Sequence, residues 1–254
     1  MNWENDYLGI MDQVIDSKPR QNRTGIPTRS IPSAILSTRA YPAITTKKLA
    51  FKSMCVELEG FIKGITHVEW YQERGCHIWD EWAVNGELGP FYGFQWRSYN
   101  GLLDQLSSMI EQLKTDPSDR RMVCMAWNPL QNYLMALPPC HLGFMVHFDG
   151  ELHLTWWQRS CDLFLGIPFN IASYALLHRL ICNEVGLPQG NTIGQLTNVH
   201  LYENHIEHAM FQLNREIYEP PKLIADCGVF DYTHDSVSLE GYKHHPAIKA
   251  EVAV

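Results

Sequence analysis

Apolar residues at helical spacing open the chain. Trp3, Tyr7, Leu8, Met11, Val14 and Ile15 predict a helix over residues 3–17. The β-rich run from Ser30 to Thr46 carries Pro32 and Pro42, which predict edge or irregular strands. From Thr46 to Gly64, Leu49, Met54, Leu58, Phe61 and Ile62 trace one helical face, with Gly64 as the stop. Leu103, Leu106, Met109, Ile110 and Leu113 predict an amphipathic helix over 102–114, followed by a strand over 122–127. Segments 142–148 and 151–157 flank Asp149-Gly150, a hairpin signal. A buried helix over 168–186, a strand over 191–202 and a helix over 203–213 follow, with no repeat, low-complexity tract or linker. The predicted class is α+β, a mixed sheet flanked by helices in one domain over residues 1–254.

Composition narrows the setting. At 254 residues, 45% hydrophobic and 19% charged, the chain has the profile of a globular protein with a large core. No apolar run reaches the ~20 residues of a membrane helix. The acidic start, Met-Asn-Trp-Glu-Asn-Asp, lacks the apolar core of a signal peptide. Seven scattered cysteines fit reduced thiols, so a cytoplasmic location is expected. A formal net charge of −8 argues against nonspecific nucleic-acid binding, so no DNA partner is expected, and the lack of a long apolar run leaves no membrane partner expected. Any phosphate must then be caught by local arginines.

Candidate chemistry concentrates between Leu137 and Tyr174. Pro138 and Pro139 stiffen the approach to Cys140. Gln158, Arg159, Ser160, Asp162, Gly166, Phe169 and Asn170 follow closely. A cysteine thiolate is a strong nucleophile that needs help to ionise, and Arg159, with Arg23, Arg120 and Arg121, can supply positive field. His141 neighbours Cys140, yet adjacent strand residues face opposite ways, which disfavours a Cys–His hydrolase pair. Adjacent Arg120 and Arg121 read either as a solvated loop or as a grip on phosphate. Glu57 falls beside the apolar face of its helix. Trp79 and Trp82 alternate with Asp80 and Glu81, giving flat rings with a polar rim that suits a planar ligand. On a strand, His200 and Tyr202 share a face and can donate to a ribose hydroxyl. His200, His205 and His208 lack a familiar ligand pattern, so no metal is expected.

Ordered segments then carry a resemblance. Arg23-Thr-Gly, Thr45-Thr-Lys47-Lys, Ile78-Trp-Asp-Glu-Trp82, Gly89-Pro-Phe-Tyr92-Gly, Asp119-Arg-Arg121 and Pro139-Cys-His form its first half. Gln158-Arg-Ser-Cys-Asp162, Phe169-Asn-Ile-Ala-Ser-Tyr174, His200-Leu-Tyr202 and the final Val-Ala-Val complete it. Across nearly its whole length the chain resembles the thymidylate synthase family. The resemblance implies a homodimer packed sheet to sheet, with dUMP as substrate and 5,10-methylenetetrahydrofolate as co-substrate. Cys140 would attack C6 of the uracil, and C5 would take the methylene group. Arg23, Arg159 and Ser160 would hold the phosphate, joined by Arg120 and Arg121 from the partner subunit. Asn170 would pair with the O4 and N3 edge, and His200 and Tyr202 with the 3′-hydroxyl. Glu57 would organise water at O4, and Tyr92 would lie near the proton lost from C5. Ile78, Trp79, Leu137, Asp162, Gly166 and Phe169 would line the folate, with Lys47 near its glutamate tail and Val254 closing over it. Asn170 favours uracil; an aspartate there would suit cytosine, as in deoxycytidylate hydroxymethylases.

Some positions depart from the family pattern. Val56-Glu57-Leu58-Glu59-Gly60-Phe61 stands where synthases usually carry Glu-Leu-Leu-Trp, so Glu59 and Gly60 replace an apolar side chain and an indole. A Glu-Leu-Glu run also occurs in phage-type deoxycytidylate hydroxymethylases. Ala50 stands where many members have a folate-side histidine, and Leu196-Thr-Asn198-Val-His200 replaces a Gly-Asp-Thr-His type of sequence. Two outcomes therefore compete for the last step. Hydride reduction would give dTMP and dihydrofolate; water would give 5-hydroxymethyl-dUMP and tetrahydrofolate. Trp79 and the Val-Ala-Val tail favour reduction, because both would shield the intermediate. A noncatalytic nucleotide- or RNA-binding protein of the same fold is a further alternative, opposed by Cys140, Glu57, Arg159 and Asn170 occurring together.

Overall fold

The computed structural model describes residues 2–251. Fifteen elements are used below: α1 (Trp3–Ile15), β1 (Thr28–Thr38), α2 (Phe51–Lys63), α3 (Val68–Gln72), α4 (Tyr92–Ser98), α5 (Gln105–Thr115), β2 (Val123–Met125), β3 (His141–Phe148), β4 (Leu152–Gln158), β5 (Cys161–Asp162), α6 (Ile167–Val185), β6 (Gln189–Tyr202), α7 (Ile206–Leu213), β7 (Lys222–Ala225) and β8 (Val237–Glu240). The main sheet runs β1-β6-β4-β3-β2, with β5 beside β6; β7 and β8 form a separate hairpin. β4 and β5 pair with β6 in parallel and the other contacts are antiparallel, so the sheet is mixed. The predicted α+β class with helices flanking a mixed sheet is the observed architecture. Among the described residues, no helix is long and apolar enough to cross a membrane.

Helix limits follow local chemistry. α5 starts at Gln105 rather than 102 because Asp104 caps it, accepting from the Ser107 N–H at 2.9 Å. Gly186, at φ 71°, ends α6 in the left-handed conformation that favours glycine. The hairpin turns at Asp149-Gly150, where Gly150 has φ 107°.

The predicted β-rich run to Thr46 is cut short. β1 ends at Thr38, and residues 43–47 are buried coil. Instead of a neighbouring strand, the Glu4 carboxylate accepts from the backbone N–H groups and hydroxyls of Thr45 and Thr46, at 2.7–3.0 Å. A buried side chain in α1 thus supplies the partners a ladder would have given. β1 is an edge strand, as Pro32 predicts.

One face of the sheet packs against α6, with Leu36, Leu196 and Trp156 buried. The opposite face is uncovered among the described residues. Ile35 pairs with Gln195, which pairs with Trp157, so these three share it; Ile35 is 67% exposed. Val123 and Met145 lie directly opposite one another on the same face.

Candidate active site

The loop entering β3, the break between β4 and β5, the start of α6 and the end of β6 converge on one cleft of about 340 Å³. The cleft brings together fifteen of the predicted site positions, Cys140, Glu57, Asp162, Asn170, His200 and Tyr202 among them. β4 ends at Gln158, and its line beside β6 resumes at Cys161 as β5. The interruption turns Arg159 and Ser160 away from the ladder. Arg159 Nε and Nη2 donate to the carbonyls of Pro139 and Pro138 at 2.8 and 2.9 Å, and its N–H donates to the Cys140 carbonyl at 2.9 Å. The guanidinium therefore grips the diproline loop that carries the cysteine.

Burial pushes the Cys140 thiol up, while Arg159 and Arg23 pull it back in part. The Cys140 N–H donates to the Tyr92 hydroxyl oxygen at 2.7 Å, leaving the phenol proton free to point elsewhere. His141 is no partner for the thiol: its Nδ1 bonds the Tyr174 hydroxyl at 2.8 Å and its ring stacks on Tyr92, centroids 4.2 Å apart. Burial lowers its pKa to about 3, so the imidazole is neutral and structural.

Glu57 is 6% exposed, although its position beside the apolar stripe suggested a residue at the boundary between the buried and solvated faces. α2 is covered on all sides, with residues 54–62 all buried. Desolvation raises the Glu57 carboxyl to about 8, against the opposing effect of a 3.0 Å bond from Trp79 Nε1. Near pH 7 this is a protonated carboxylic acid facing the cleft. The indole N–H of Trp79 is thus spent on Glu57, and the ring is 6% exposed rather than an open platform. Ile78, Trp82, Leu137, Leu165 and Phe169 extend the apolar wall, which suits a flat heteroaromatic ring.

At the other end, Asp162 Oδ1 accepts from Phe164 N at 2.9 Å and Leu165 N at 3.0 Å, and so shapes the turn holding Gly166. A Cβ on Gly166 would lie 3.1 Å from the Asp162 carbonyl oxygen. His200 Nδ1 donates to the Asn198 carbonyl at 2.8 Å, which leaves Nε2 as an acceptor at the cleft. Asn198 has φ 51°, and His200 and Tyr202 line one wall as their spacing predicts.

Other predicted residues lie apart. Lys47 is buried, its Nζ bonded to the Phe164 carbonyl and 3.7 Å from the Phe164 ring centroid, and it does not line the cleft. Burial lowers its pKa to about 8. Arg120 and Arg121 are exposed outside the cleft, Arg121 pairing with Asp119 at 2.9 Å. Val254 lies outside the described residues. Leu165 lines the cleft without any sequence signal beyond its place before Gly166.

The departing residues also find partners. Glu59 turns to the 230s loop, accepting from His234 N at 2.8 Å and bonding His234 Nδ1 at 2.6 Å, and pairs with Lys63. A Cβ on Gly60 would lie 2.4 Å from the Tyr71 ring, so Tyr71 fills the volume a side chain there would take. Among the described residues, His147, Asp149 and His153 offer ligand atoms within 4.8 Å of one another. His153 Nδ1, however, accepts from Asn191 N at 3.0 Å, which assigns the ring proton to Nε2, donated to Asp149 at 3.0 Å. A metal at Nε2 would break that arrangement.

The family model described as thymidylate synthase matches residues 5–254. With a cysteine, a protonated glutamate and an apolar wall meeting in one cleft, the chain belongs to the thymidylate synthase family and is an enzyme of one-carbon transferase type, acting on dUMP with methylenetetrahydrofolate as co-substrate.

Proposed function

We propose that the protein reductively methylates dUMP to dTMP, releasing dihydrofolate. In this reading the Cys140 thiolate adds to C6 of the uracil, and the electron pair moves to C5, which bonds the methylene carbon. Loss of the C5 proton and of the folate amine leaves an exocyclic methylene, and a hydride from tetrahydrofolate reduces it as the cysteine departs. Arg159 and Arg23 favour the thiolate and hold the phosphate dianion with Ser160. Protonated Glu57 stabilises negative charge at O4 as the adduct forms. The Tyr92 hydroxyl, 2.7 Å from Cys140 N, serves proton transfer beside the nucleophile. Asn170 reads O4 and N3, and His200 and Tyr202 read the sugar.

The observation that carries this reading is the meeting of Cys140, Glu57, Asn170 and the Trp79 wall in one cleft. Reduction is preferred over hydration because two of the three positions that would leave the site open to water, Gly60 and Glu59, have neighbours that occupy them, while Asn198 stays exposed. Tyr71 fills the volume beside Gly60, and Glu59 is engaged by His234 and Lys63. A single catalytic domain working as a cytoplasmic homodimer completes the proposal. The uncovered sheet face bearing Ile35, Trp157, Met145 and Val123 supports pairing sheet to sheet, with Arg120 and Arg121 reaching the partner's phosphate site. Folate contacts by Lys47 and closure by Val254 belong to the same proposal.

The test is Cys140→Ala with dUMP and methylenetetrahydrofolate. Turnover should fall to background while calorimetry still detects dUMP binding. Retained turnover would remove the covalent mechanism.

A further inference from the structure

We infer that Trp156, outside the cleft and touching no substrate, is a positioning residue that sets which pyrimidine the site accepts, a reading that rests on dUMP being the substrate. Trp156 and Gln158 are two apart on β4, so both face the same side of the sheet. Trp156 Nε1 donates to Gln158 Oε1 at 3.1 Å. Gln158 Nε2 in turn donates to the Ser160 carbonyl at 3.1 Å and to Asn170 Oδ1 at 3.0 Å.

The direction of this relay has a chemical origin. An indole N–H can only donate, so it admits only the amide oxygen of Gln158. The Gln158 NH₂ group must then face Asn170 and admit only its oxygen. Asn170 Nδ2 is left facing the cleft, without a partner among the described residues. A donor at that point matches an acceptor at the pyrimidine 4-position, the O4 of uracil. The remaining lone pair of Oδ1 can accept from N3–H. The amino group of cytosine would instead meet a donor.

The indole is held so that it cannot turn. It is fully buried and lies parallel to Tyr174, centroids 5.0 Å apart and planes 9° apart. Across the parallel pair sits Gly194, where a Cβ would lie 2.4 Å from the indole. By contrast, the buried Trp96 Nε1 has no partner among the described residues, so not every indole N–H there is satisfied. The N–H of Trp156 is committed to Gln158.

Trp156→Phe keeps the stacking and removes only the donor. Gln158 then keeps its bond to the Ser160 carbonyl but loses one of the two restraints on its amide orientation. The ratio of dUMP to dCMP affinity, measured by calorimetry without folate, should fall roughly 5-fold, the loss of one ordinary hydrogen bond. An unchanged ratio, or an equal loss for both nucleotides, overturns the proposal, since a purely structural role would weaken both alike. If the Phe variant does not fold, Gln158→Met cuts the next link and should lower the ratio similarly; an unchanged ratio there overturns it too. A wild-type protein that binds neither nucleotide removes the dUMP reading itself, and the proposal with it.

Discussion

Replacing Glu57 by Gln should stabilise the protein more and more as pH rises, while impairing turnover. A carboxyl held at about 8 in the fold, against 4.5 for a free side chain, keeps a proton that the unfolded chain has released. Folding must then take up that proton, so the residue destabilises the fold above pH 4.5, and the cost grows until pH passes 8. At ~1.4 kcal/mol per pKa unit, the cost is about 1 kcal/mol at pH 5, about 3 at pH 7 and about 5 at pH 9. Gln cannot ionise, and its amide oxygen can still accept from Trp79 Nε1. Burying its NH₂ adds an offset of about 1–3 kcal/mol, but that offset does not change with pH. Urea unfolding of both proteins at pH 5, 7 and 9, at one protein concentration, should show the difference growing by roughly 4 kcal/mol in favour of Gln. In melting experiments the same change is on the order of 10 °C. A difference that stays constant across pH would refute the elevated carboxyl and the acid role built on it.

Two further outcomes follow from the geometry. Arg159→Met should slow iodoacetamide alkylation of Cys140 and shift its reactivity–pH curve upward by up to ~1 unit, since a favourable charge is lost. Peptide mapping separates Cys140 from the half-buried Cys227, and an unmoved curve would contradict the role of the guanidinium. Gly60→Ala should cost about 1–3 kcal/mol by overpacking against Tyr71, and Tyr71→Leu in the same chain should recover part of it. Melting temperatures of the single and double variants decide this; an unaffected single variant would mean that the Tyr71 ring moves freely.

Much of the molecule was legible because it depends on local rules. Period-two parity put His200 and Tyr202 on one wall, and Asp149-Gly150 marked the hairpin. Glu57 was less legible, since a carboxylate beside an apolar stripe resembles a boundary residue until α2 is seen buried all round. The coil at 43–47 depends on Glu4, some forty residues away, and no local pattern encodes that pairing. Lys47 shows the same limit, because a lysine in a polar motif gave no sign that its ammonium turns inward to Phe164. Trp156 drew no reading of its own within the strand over 151–157; its part in orienting Asn170 appears only when three side chains on two elements are traced together.

The central claim is that the intermediate on C5 meets hydride rather than water. Incubating the protein with dUMP and methylenetetrahydrofolate, then identifying the nucleotide by mass while following dihydrofolate by absorbance, tests it most directly. The account predicts dTMP and dihydrofolate in equal amounts; 5-hydroxymethyl-dUMP without dihydrofolate would contradict it.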